Sequence, residues 1–209
     1  MILLLAACGG SEPPPIPDPD QLAPLEAVNL APELPTSGGV PPESITFAAG
    51  QDEEGVYWAH AKGYVAQDVG AVWTCFQDPL VVMDRREVDA WTAEFDVEPA
   101  FDVSCVIHQT VYDLVTIEFD LLWLHEQQAG PVEAPEQVVM VWQKTEGTNF
   151  IDLLEGSALL TVAAPGVTRI ELIEHLDAAL RDEETIRSYL SDLYESVRAC
   201  AHGDPLPSW

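Results

Sequence analysis

The sequence predicts an α+β domain in which antiparallel strands precede one long amphipathic helix. Two patterns carry that class. Between residues 88 and 177 the chain breaks into short stretches of strand composition separated by turn-prone loops. From Asp182 to His202 the apolar period becomes helical, with Ile186, Leu190, Leu193, Val197 and Cys200 on one stripe. A sheet with one dry face and a helix with one dry stripe can cover each other, so the two are expected to form one packed unit.

Residues 56–66 (VYWAHAKGYVA) open the ordered pattern with strand composition. Asp68 then suits a helix N-cap, and Val69, Val72, Trp73 and Phe76 follow at helical spacing. Pro79 interrupts and opens a second short helical turn, PLVVMD. Strand-like stretches follow at 88–96, 101–112, 114–126, 136–145, 150–164 and 167–177. Alternation is clearest in LVTIEFDLLWLHE. There Val115, Ile117, Phe119, Leu121, Trp123 and His125 share one face, and Thr116, Glu118 and Asp120 share the other. That is the pattern of an antiparallel strand with one dry and one wet face. In the closing helix, Asp182, Glu183 and Glu184 complement the N-terminal end of the dipole, and Gly203 suits the stop. The helix is expected to run about 20 residues, roughly 30 Å.

Composition excludes some partners. The chain carries 36 Asp and Glu against 8 Lys and Arg, a net charge of −28. Affinity for phosphate backbones comes mainly from basic residues, so nucleic acid is excluded as a partner and anionic headgroups are repelled. The acidic residues are spread rather than gathered in runs, which reads as a solvated surface. About 160 residues, 45–203, suit one domain with one core, and 204–209 form a short tail; a monomer is expected.

The N-terminus has its own logic. The apolar run at residues 2–7 is too short to span a bilayer. It fits the end of a secretory h-region followed by small residues at a cleavage point. Leu5-Ala6-Ala7-Cys8 resembles the lipobox of bacterial lipoproteins. The resemblance implies loss of residues 1–7 as a signal stub and lipidation of Cys8 as the new N-terminus. No Lys or Arg precedes the run, unlike the family pattern, which places the true start upstream. Residues 9–44 hold ten of the 17 prolines, so 8–44 is expected to be a lipidated, disordered, largely extended tether. The implied location is the bacterial cell envelope, at the outer rather than the inner membrane, with the domain in the periplasm or at the cell surface. Two acyl chains anchor stably where one does not.

The element order, a strand, two short helices, six strands and a long C-terminal helix, resembles the helix-grip superfamily of START-like lipid-transfer domains, polyketide cyclases and birch-pollen-allergen relatives. The local resemblance lies in QDVGAVWTCFQDP and PGVTRIELIEHLD. It implies a curved seven-stranded antiparallel sheet gripping the helix, with a cavity between them. Phe119, Trp123, Trp142, Ile170, Leu172, Glu174, Leu190, Leu193 and Tyr194 are the expected lining. In this family the first short helices sit under the end of the C-terminal helix, which implies a Cys75–Cys200 disulfide. Cys105, on a strand face with Phe101, Val103 and Ile107, is then a buried free thiol.

Catalytic motifs are absent from the sequence. His125-Glu126 starts like a zinc-peptidase helix, but Ala129 stands where the second histidine belongs, and no CxxC pair exists. EGSALL lacks the second glycine of a nucleophile elbow. His60, His108, His125, His175 and His202 lie on different elements. Glu174 is the unusual residue, because Thr168, Ile170, Leu172, Glu174 and Leu176 share an inward parity. Its carboxyl either enters the interior, where burial is costly and tends to mark function, or is turned into water by a bulge or the strand's end. The leading expectation is a cofactor-free, membrane-anchored carrier of an apolar small molecule, lipid or polyketide-like. The alternatives are a cyclase or hydratase using Glu174 with a histidine, and a ligand-free structural lipoprotein.

Overall fold

A computed structural model describes residues 15–35, 41–112, 115–179 and 181–209. Eight strands form one antiparallel sheet: β1 Ile45–Gln51, β2 Tyr57–Val65, β3 Ala90–Phe95, β4 Val103–Tyr112, β5 Thr116–Ala129, β6 Gln137–Gly147, β7 Ile151–Ala164 and β8 Val167–Ala178. Helices α1 Val69–Phe76 and α2 Pro79–Val82 follow β2, and α3 Glu183–His202 closes the chain. The strand order is β1-β2-β8-β7-β6-β5-β4-β3, so the last strand returns beside β2. Short hairpins account for β3 to β8, and the crossover through α1 and α2 accounts for the one long jump.

The sheet has eight strands rather than the expected seven. The extra strand, β1, pairs with β2 from Ile45↔Gly63 to Gln51↔Tyr57. Its sequence, ITFAAGQ, is an edge strand half-buried along nearly its whole length, so it carries no dry/wet alternation to read.

The inner face of the sheet meets α1, α2 and α3 in one core that includes Trp123, Trp142, Met140, Leu172, Leu190, Leu193 and Tyr194. Two glycines let bulky groups reach it. A Cβ on Gly156 would stand 2.0 Å from the Trp142 indole, and one on Gly63 would stand 2.7 Å from the Tyr194 ring. Helix α3 begins with Asp182 accepting from the Thr185 N–H at 3.1 Å. It stops at Gly203 in the left-handed region, φ 72°. Cys75 of α1 is disulfide-bonded to Cys200 of α3, with a Cα–Cα distance of 5.9 Å, and Cys105 is free and buried. At the start of α1, Asp68 makes no side-chain capping bond; in α2 it is Asp78 that accepts, from Leu80 N.

The outer face is not uniformly wet. Leu122 and Leu124 of β5 pack with Phe101, Val139 and Leu22 in a second cluster. Leu22 belongs to the proline-rich stretch, expected as an extended tether. Residues 15–35 instead lie on the sheet, and Leu22 is only 2% exposed. Apart from one 3-10 turn at Pro19–Gln21, the segment has no helix or strand of its own, since proline removes backbone donors, but its side chains stay free to bond the sheet. Asn29 Nδ2 donates to the carbonyls of Ala61 and Leu172 at 3.0 and 3.1 Å. Ser157 Oγ accepts from Leu25 N at 3.0 Å. Cys8 and the expected signal stub lie outside the described residues.

Candidate functional site

A cavity of about 300 Å³ opens at one end of the inner face. Its walls come from β4 (Gln109, Val111), β5 (Ile117, Phe119, Leu121), β6 (Trp142), β7 (Ile151, Leu154) and β8 (Glu174, Leu176, Ala178). The first turns of α3 supply Thr185, Ile186 and Tyr189, and the loop after α2 supplies Asp84, Glu87 and Val88. Val115 and Phe150, both partly exposed, lie at its rim.

Of the expected lining, Phe119, Trp142 and Glu174 face this cavity. Trp123, Ile170, Leu172, Leu190, Leu193 and Tyr194 do not; they are fully packed in the core. The difference has a local cause. The middle of α3 is pressed onto the sheet where Tyr194 lies against Gly63 and its hydroxyl donates to the Tyr64 carbonyl at 2.8 Å. The Cys75–Cys200 bond closes the same end under α1. Within α3, the cavity is bordered by Thr185, Ile186 and Tyr189 of the first two turns.

The loop after α2 roofs the cavity and is tied down on several sides. Arg85 donates to the Pro207 carbonyl at 2.7 Å and to Ser196 Oγ at 2.9 Å. Arg86 pairs with Asp192 and lies over the Trp209 ring, 4.5 Å from its centre. Thus the C-terminal tail folds back onto the roof. Glu87 pairs with Arg181 at 2.7 Å across the cavity edge.

Glu174 is the chemical anomaly. It is 3% exposed, and its Oε2 has no hydrogen-bond partner. Burial, with the Asp84 charge nearby, pushes its pKa well above the usual carboxylate range and so favours its protonated form. Burial likewise raises Asp84 and holds the Tyr189 phenol protonated. The Tyr189 hydroxyl donates to the Val82 carbonyl at 3.0 Å. Parity along β8 pointed to Glu174; the roof residues Asp84 and Glu87 could not be read, because the PLVVMD turn has no periodicity linking it to the sheet.

Among the described residues, no histidine lines the cavity. His125 is fully buried beside α1, its Nδ1 accepting from the Trp73 indole N–H at 3.2 Å, and burial lowers its pKa to about 3. It is a neutral core residue. Among the described residues, Glu26, His60 and His175 bring ligand-type atoms within 4.8 Å of one another on the outer face. Their hydrogen bonds argue against a metal. His60 Nδ1 accepts from Leu30 N at 2.8 Å, which puts its proton on Nε2, 3.3 Å from Glu26. His175 faces Glu155 through Nδ1 at 3.1 Å and Glu26 through Nε2 at 2.9 Å. The Nε2 of His60, carrying its proton, has no lone pair to give an ion in this arrangement. The group is a hydrogen-bonded clasp holding the N-terminal segment.

No protein-family model and no curated protein sequence matches the chain. Solved structures do share its fold. It is similar to human StAR-related lipid transfer protein 5, with a TM-score of 0.54 at 12% identity over 86% of this chain and 89% of that one. The human StarD13 (DLC2) lipid transfer and protein localization domain gives 0.53 at 11% identity over 83% and 87%. Human STARD10 gives 0.52 at 9% identity over 88% and 86%. The architecture is therefore the START-like helix-grip fold, and at these identities the likeness concerns the fold alone.

Proposed function

We propose that this chain is a carrier or sensor that holds an apolar small molecule between the sheet and the first turns of α3. The observation that carries the reading is the cavity itself: about 300 Å³, mostly apolar, and open at the rim. That volume is at the small end of ligand sites, which run to roughly 300–1,000 Å³. The lipid-transfer names of the similar structures agree with this reading. Organic extraction of the purified protein followed by mass spectrometry tests it. A stoichiometric co-purifying apolar compound is expected; an empty protein that also takes up no apolar compound when offered one contradicts the reading.

A catalytic reading draws on one observation, the buried and unpaired acid Glu174 in the cavity. A cyclase or hydratase also needs a proton acceptor there. Tyr189 is held protonated and its hydroxyl is engaged by Val82, while the other acids of the lining are already engaged, Asp84 by the Arg86 N–H and Glu87 by Arg181, so the carrier is the better account.

Membrane anchoring through Cys8 is part of the proposal and rests on the LAAC motif. Among the described residues no helix is long and apolar enough to cross a membrane. Expressed with a functional signal peptide, the protein is expected in the membrane fraction, and Cys8→Ser is expected to release it. Equal partitioning of the two proteins contradicts anchoring.

A further inference from the structure

We propose that the cavity selects a neutral ligand, an apolar body bearing one hydrogen-bond acceptor such as a ketone or ester carbonyl, with that acceptor set against Glu174. Carboxylates and phosphates are turned away. This inference rests on the carrier reading and narrows it to a ligand class.

The geometry comes first. Glu174 pairs in register with Gly156, and Gly156 pairs with Trp142. The Trp142 indole lies over Gly156, so a flat aromatic wall stands beside the carboxyl. Trp142 is stacked on Trp123 with ring centres 4.5 Å apart, which keeps that wall in place. Glu174 is more than nine-tenths buried, and its Oε2 is unpaired. A buried polar group without a partner costs on the order of 1–3 kcal/mol, and a ligand acceptor would relieve it.

The charge balance then excludes anions. Asp84, Glu87 and Glu174 line the cavity, and Arg181 is the only cation among the described residues that do. Its guanidinium is engaged by Glu87. An anionic ligand would enter a low-dielectric space among carboxyl groups with no cation left to meet it. A neutral acceptor meets instead a buried, unpaired carboxyl with no free cation beside it, a setting that favours the protonated, donating form of Glu174.

Three ligands of near-identical shape separate the possibilities: 2-acetylnaphthalene, 2-isopropylnaphthalene and 2-naphthoate, titrated calorimetrically into the full chain at pH 7.5. The ketone is expected to bind about five- to tenfold more tightly than the hydrocarbon, the worth of one net hydrogen bond. Naphthoate is expected to bind at least tenfold more weakly than the ketone. Glu174→Leu should erase the ketone's advantage while hydrocarbon binding persists. Glu174→Gln should keep much of it, because an amide N–H still donates. Equal binding of ketone and hydrocarbon by the wild type overturns the role of Glu174 and leaves the carrier reading standing. Naphthoate binding as tightly as the ketone overturns the charge selection. Failure of all three to bind overturns the carrier reading itself. Should Glu174→Leu not fold, the wild-type series and Glu174→Gln decide the matter.

Discussion

Leu190 and Leu154 are the same side chain in opposite situations. Leu190 is 0% exposed and packed on all sides between α3 and the sheet. Leu154 of β7 borders the cavity. Truncating Leu190 to alanine leaves a new void among packed neighbours and is expected to cost about 2–5 kcal/mol in urea denaturation. Leu154→Ala enlarges a space that already exists, so its cost should fall below that range. Equal costs would mean that the cavity is closed up in solution. At this scale the sequence was partly legible. Parity placed Phe119 and Glu174 on the cavity face, and Trp142, expected in the lining as a large aromatic, also lies there. Parity could not say how far along the face the helix makes contact, and so Leu190, Leu193 and Tyr194 were expected in the lining. That depends on Gly63 admitting the Tyr194 ring, a contact between residues 131 positions apart.

Among the elements, the strands from β3 to β8 and helix α3 were readable because alternation and helical period are local properties. Strand β1 and the N-terminal segment were not, since both are defined by what they lie against. The segment is held by Glu26, which contacts the buried His60 and the half-buried His175. Their titrations act in opposite directions. The hydrogen bond that His175 donates to Glu155 leads the causes that raise its pKa above 6.5. Its stabilising contribution is therefore full below pH 6.5 and is lost as the pH rises through the raised value. Burial lowers the pKa of His60. Stability tied to its neutral ring is present above pH 6.5 and is lost as the pH falls through the lowered value. The stability difference between wild type and His175→Gln, measured by urea denaturation at a series of pH values, should be larger at pH 5.5 than at pH 9. A difference that grows toward alkaline pH would contradict the pairing of His175 with Glu155 and Glu26.

On the scale of the whole molecule, an acidic surface with a charge of −28 surrounds an apolar interior that is not completely filled. One end of the sheet–helix interface is closed by α1, the Cys75–Cys200 bond and Tyr194. The other is roofed by a loop that the tail and α3 hold through Arg85 and Arg86. Such a division, solid at one end and hollow at the other, is what a container requires and a purely structural domain does not. Titration of an apolar fluorescent probe into wild type and Leu154→Trp tests this directly, because the larger side chain would occupy the cavity without touching the closed end. The account predicts saturable one-to-one binding by the wild type and at least a tenfold loss in Leu154→Trp, with the thermal midpoint retained. Absence of binding by the wild type, or binding unchanged by the filling substitution, would contradict it.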